Sequence, residues 1–208
     1  MAGTKRAGML GLRPRSSRQT TKLDLVRYSD SVSLGKSPTI RDIETLARKA
    51  GIRALLNLNT EGEPGQLLSP NVEATWAHAS GLQHERVSSD VGGLRSEWVD
   101  RFLDSLQKVR KPVYVHSLRG RRAATVMIIH LALARGLSEE QALAEAKVLG
   151  IDCELELLRS FVSSELDQRA RARSSGAAAD RPGGSAPVRW SSEARHLSIP
   201  PRWRGRLA

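Results

Sequence analysis

Short runs of β-branched and aliphatic residues alternate along this chain with stretches whose apolar positions fall three and four residues apart. Strands handed directly to helices are the expected result. Val32 and Leu34 mark a short opening strand, and Ser37-Pro38-Thr39 introduces a helix over about 40–50, stopped by Gly51, with Ile43, Leu46, Ala47 and Ala50 on one face. The apolar run 52–58 follows at once as a strand. A second helix, over about 70–80, ends at Gly81 and leads into a strand over 82–87. Gly92 and Gly93 loosen the chain before Ser96, which is expected to cap a helix whose Trp98, Val99, Phe102, Leu103, Leu106 and Val109 repeat at core spacing. Pro112 begins the central strand, and Gly120 begins a helix that runs to about Arg135 and stops at Gly136. Ser138-Glu139-Glu140-Gln141 reads as a capping box for a helix to about Leu149, and a last helix over about 152–169 carries Leu155, Leu158 and Phe161. Strands this short and apolar cannot stand alone. The expected architecture is a three-layer α/β domain with a mostly parallel central sheet flanked by helices. No internal repeat is visible.

Composition changes that picture at the two ends. Of the 208 residues, 39% are hydrophobic and 26% charged, ordinary values for one soluble domain with appendages, but the net charge is +11. Residues 1–27 hold seven Lys or Arg against one acid, residues 170–208 hold eight Arg against two acids, and residues 28–169 hold 18 bases against 19 acids. A nearly neutral folded domain over 28–169 is therefore expected between two cationic arms rich in Gly, Pro, Ser and Ala, whose composition is that of disordered chain. The arms would attract polyanions such as nucleic acid, although the plainer reading is a solvated extension, since no nucleic-acid motif accompanies them. Cys153 is the only cysteine, which rules out an intrachain disulfide and fits a reducing, cytoplasmic setting. Beside Asp152 and Glu154 it has the surroundings of a helix residue rather than of a nucleophile. No apolar run approaches a membrane span. Residues 1–23 carry Arg and Ser without acids, as transit peptides do, but with weak amphipathic periodicity.

The candidate chemistry lies in residues 112–127, where a buried strand (Val113, Tyr114, Val115) runs through a short basic turn into a helix. Gly120 allows close backbone approach, and the helix start offers unpaired N–H groups and a positive dipole end. A phosphate there would meet His116, Leu118, Arg119, Gly120, Arg121 and Arg122, with at least one charge-assisted Arg contact. Ser117 decides between catalysis and binding. No metal-ligand spacing links the histidines or Cys153, so neither metal nor cofactor is expected.

His116-Ser117-Leu118-Arg119-Gly120-Arg121-Arg122 resembles the phosphate-loop signature of the cysteine-dependent tyrosine and dual-specificity phosphatases, most closely the bacterial beta-lactamase hydrolase-like phosphatase domain. Segments like Leu34 to Thr39, the strand Ile52 to Leu58 and the loop Glu61 to Gln66 follow that family's order, and the resemblance covers roughly 28–160. It implies a nucleophile at position 117, where the family has Cys and this chain has Ser. The family's Arg, usually six positions on at what is here Ala123, aligns with Arg122 through the shortened loop of that branch. A general acid on a separate loop is also implied, for which Asp90 is the candidate, and the loop 61–66 should neighbour the site. A thiol in such a turn is driven toward thiolate, whereas an alcohol keeps its proton unless a base stands beside it.

The leading expectation is thus a phosphate-binding pseudophosphatase, recognising a phosphorylated protein or small phosphate with little or no turnover. The first alternative is an active phosphomonoester hydrolase in which Asp90 or His116 assists Ser117, or in which Ser117 replaces a native Cys. Two others are anion or nucleic-acid binding through the basic arms and a rhodanese-like domain, the latter disfavoured by the missing loop Cys.

Overall fold

The computed structural model describes residues 25–88 and 95–148. Asp90, Cys153, the helix expected at 152–169, and the arms 1–24 and 170–208 lie outside the described residues.

Five strands, β1 (Val26–Arg27), β2 (Val32–Lys36), β3 (Ala54–Asn57), β4 (Gln83–Arg86) and β5 (Val113–Ser117), form one sheet in the order β1-β2-β5-β3-β4. All neighbours are parallel except β1 with β2. Strand β5 is central and buried at every residue. The sheet starts two residues earlier than the basic-arm boundary at residue 27 implied, because Val26 and Arg27 pair with Leu34 and Ser33.

Side chains alternate across a strand, so the central strands β3 and β5 feed two cores. Ala54, Leu56, Val113 and Val115 face the helices α3 (Ser96–Lys108), α4 (Arg121–Arg135) and α5 (Glu139–Val148). Leu55 and Tyr114 face α1 (Ile40–Arg48) and α2 (Pro70–Ala79), packing with Ile43, Leu46 and Ala77. The result is the expected three-layer arrangement.

Three of the helix starts follow local capping rules. Thr39 caps α1 in a reciprocal box with Asp42, Ser69 caps α2 ahead of Pro70, and Ser138 exchanges hydrogen bonds with Gln141 at the head of α5. Ser96, expected to cap α3, is instead its first helical residue. The cap position is Arg95, which supplies no side-chain cap bond. Helix α1 also stops at Arg48, leaving Ala50 exposed rather than on its apolar face.

Because the four parallel strands all end at one edge, Lys36, Ser117, Asn57 and Arg86 stand together at the carboxyl side of the sheet. Open parallel sheets bind ligands there.

Candidate functional site

Ser117 is the last residue of β5, in register with Lys36 of β2, while His116 is in register with Asn57 of β3. From there the chain must turn and start α4 within three residues. Gly120 makes that turn at φ 82° and ψ −19°, left-handed backbone that a residue with a side chain rarely adopts. A Cβ at this position would stand 3.2 Å from both the carbonyl carbon and oxygen of Gly35. The Gly120 N–H closes the turn on the Ser117 carbonyl at 3.1 Å, and the Ser37 N–H donates to the Leu118 carbonyl at 3.4 Å. The predicted anion turn is therefore fastened to the connection that follows β2.

Glycine brings no side chain to cap α4, and Ser117 takes that place. Its Oγ, buried at 2% exposure, accepts the N–H of Ala123, the third helical residue, at 3.3 Å. The hydroxyl consequently occupies the positive end of the helix, where the unpaired amides point. Among the described residues no carboxylate or imidazole bonds to Oγ, so nothing there is placed to take its proton.

Arg122 is half-buried and held from two sides. Its Nη1 donates to the Leu58 carbonyl at 2.8 Å and to Glu63 Oε2 at 3.3 Å, and its Nη2 donates to Glu63 Oε1 at 3.0 Å. A guanidinium has five N–H groups, and those not used in these bonds, Nε–H and the second Nη2–H, lie along one edge of the planar fork. Glu63 is braced by the Thr60 N–H at 3.1 Å. Burial works against its ionised form, but the hydrogen bonds and charge of Arg122, aided by the Thr60 amide, prevail and hold the carboxyl below the ordinary range. The loop 61–66 thus meets the site through Glu63. Leu118 is half-buried, and Arg119 and Arg121 are exposed around the turn.

His116 points away from Ser117, onto the face covered by α1 and α2. It is fully buried and stacked on Tyr114, with ring centroids 5.7 Å apart. Its Nε2 lies 2.9 Å from Glu73 Oε1, and its Nδ1 has no hydrogen-bond partner. Neither nitrogen bonds to Ser117, so this geometry does not make His116 a base for that hydroxyl. The same Glu73 oxygen meets His84 Nε2 and Asn57 Nδ2, each at 3.0 Å. Burial opposes the charge on Glu73, yet the His116 charge and the hydrogen bonds from both imidazoles outweigh it and bring the carboxyl down to about 2. Asn57 Oδ1 in turn accepts the Asn59 N–H at 2.7 Å, and Asn59 Nδ2 donates to Ser37 Oγ at 2.7 Å. A continuous polar line therefore runs from α2 under the sheet edge to the residue that fastens the turn.

Glu63, Glu73, Asn57, Asn59 and His84 were not among the residues singled out from the sequence. Glu73 shares the buried stripe of α2 with Pro70 and Ala77, while Val72 and Trp76 on the same helix are exposed, an inversion that the sequence pattern does not announce. A carboxylate on a core stripe needs partners. Among the described residues no cluster of three or more His, Cys, Asp and Glu is arranged to hold a metal ion.

No protein-family model matches the chain, and no curated protein matches it in sequence. Solved structures do match. A candidate phosphatase from Neisseria meningitidis Z2491 superposes with a TM-score of 0.56 at 17% identity, covering 71% of this chain and 99% of its own. A DUF442 candidate phosphatase from Shewanella putrefaciens CN-32 gives 0.52 at 20% identity, over 68% and 92% of the two chains. PTPMT1, in complex with PI(5)P, gives 0.51 at 26% identity, over 70% and 98%. The chain thus has a phosphatase-like α/β fold, structurally similar to members of the cysteine-dependent phosphatase superfamily.

Proposed function

We propose that residues 116–122 bind the phosphate of a phosphorylated protein or small phosphomonoester, and that with serine at position 117 the domain turns this ligand over slowly or not at all. The observation that carries the reading is the buried Ser117 Oγ at the amino end of α4, bonded to the Ala123 amide and, among the described residues, to no carboxylate or imidazole. An oxyanion at that point gains amide hydrogen bonds, the helix dipole and, from Arg122, the fork edge not engaged by Glu63 and Leu58. Those same features would stabilise a thiolate. They do little for an alcohol, whose proton must go to a base before it can attack phosphorus. Asp90 remains the proposed acid for the leaving oxygen in any variant that turns over. The PI(5)P complex of PTPMT1 makes phosphorylated headgroups reasonable ligands to try alongside phosphopeptides.

The test is hydrolysis of an aryl phosphate by the full chain and by Ser117→Cys, with vanadate binding measured in both. Vanadate should bind both proteins, and turnover should be confined to the Cys variant or rise at least about a hundredfold in it. Equal turnover would make Ser117 a working nucleophile or a bystander, and absence of vanadate binding in both would remove the phosphate-loop reading. Polyanion binding by the basic arms is a second, separable reading. It would show a steep salt dependence and no competition by vanadate.

A further inference from the structure

We propose that Glu73 is a positioning residue for the phosphate loop, acting through His116. The proposal rests on the anion-binding reading of residues 116–122 and concerns what holds that loop in shape.

Position 116 is the penultimate residue of β5, one before the strand gives way to the turn. The His116 carbonyl accepts the Leu58 N–H at 2.9 Å, and its ladder neighbours are Gly35 and Asn57. One residue later the backbone must deliver the Ser117 Oγ to α4 and hold Gly120 within 3.2 Å of Gly35 atoms, measured from where a Cβ would stand. A pivot of the β5 end would disturb every amide aimed at the anion. Stacking on Tyr114 has no fixed direction within the ring plane, so the directional restraint on the His116 side chain is the Nε2 contact with Glu73. Glu73 itself is over-determined, with His116, His84 and Asn57 converging on a single oxygen from β5, β4 and β3. A helix residue with 1% exposure thereby ties three adjacent strands together directly under the loop. A carboxylate suits this task because, ionised, it only accepts, and so fixes Nε2 of His116 as the protonated nitrogen.

The experiment compares the full-length protein with Glu73→Gln, Glu73→Asp and His84→Gln. It measures vanadate affinity, the His116 Nε2–H resonance, and the amide shifts of residues 117–123. Glu73→Gln should weaken vanadate binding about tenfold, and Glu73→Asp should recover part of that loss. In Glu73→Gln the His116 Nε2–H signal should broaden or vanish while the loop amides shift. His84→Gln, which removes an imidazole but leaves the His116–Glu73 bond, should lower thermal stability yet keep vanadate affinity within about twofold. Equal loss of affinity in Glu73→Gln and His84→Gln would overturn the proposal, because a merely structural role predicts that result. Unchanged affinity and loop shifts in Glu73→Gln would also overturn it. If the parent protein fails to bind vanadate, the phosphate-binding reading falls, and the His116 and loop resonances alone decide whether Glu73 positions the turn. If Glu73→Gln does not fold, Glu73→Asp is read by the same criteria.

Discussion

At the scale of single residues, the site is shaped by what each position excludes. Gly120 excludes any side chain twice over, by its backbone conformation and by the 3.2 Å approach to Gly35. Gly120→Ala should therefore cost about 1–3 kcal/mol of folding stability, the usual penalty of a residue forced into sparse φ/ψ space, and more if Gly35 cannot yield. Urea unfolding measures this directly. Vanadate affinity should fall with it, because the strain would be relieved by moving the loop amides. A stable Gly120→Ala protein with unaltered affinity would show that the turn is not the anion cradle. Arg122 is limited in a different way: two contacts hold its outer end, so an anion can reach it only along one edge. Burial also separates it from Arg119 and Arg121, which share its charge but are exposed.

At the scale of elements, helix starts show which parts of the fold were written locally. Ser37-Pro38-Thr39 announced α1, and the structure places Thr39 in a reciprocal box with Asp42, with Thr39 Oγ1 accepting the Asp42 N–H at 3.2 Å. Thr39→Ala should lower stability by about 1 kcal/mol, and Thr39→Ser by much less, as denaturant midpoints would show. A loss near zero in Thr39→Ala would mean that packing of Ile43 and Leu46 alone fixes the helix. Strand β5, the turn and α4 were legible for the same reason, since a β-branched run, a glycine and an apolar helix are all neighbours in sequence. The α3 start was misread by one residue because serine is a preferred cap, whereas here Arg95 takes the extended cap conformation ahead of it. What stayed hidden was non-local. Glu73 meets Asn57, His84 and His116 only after three strands are assembled, and Arg122 meets Glu63 across a separate loop. No local periodicity encodes such pairs. The inverted pattern of α2, with its carboxylate inside and Trp76 outside, shows only once the fold is assembled.

At the scale of the whole molecule, the buried carboxylate links the site to acid stability. Glu73 has a folded-state pKa of about 2, below its ordinary 4.5, so the unfolded chain takes up this proton first as pH falls. The stabilisation is complete above about pH 4.5 and is lost progressively as pH drops through 2. A shift of that size corresponds to about 3 kcal/mol. Net charge complicates any single acid titration, because a chain already at +11 repels itself more strongly as its other carboxylates protonate. Comparison with Glu73→Gln removes that shared effect, since glutamine cannot titrate. The stability gap between the two proteins, from urea unfolding at steps between pH 6 and pH 2, should be largest at the upper end and close toward pH 2. A gap that stayed constant across that range would mean that Glu73 contributes packing and not charge. Closure of the gap would tie the acid sensitivity of the fold to the same carboxylate that contacts His116 at the end of β5.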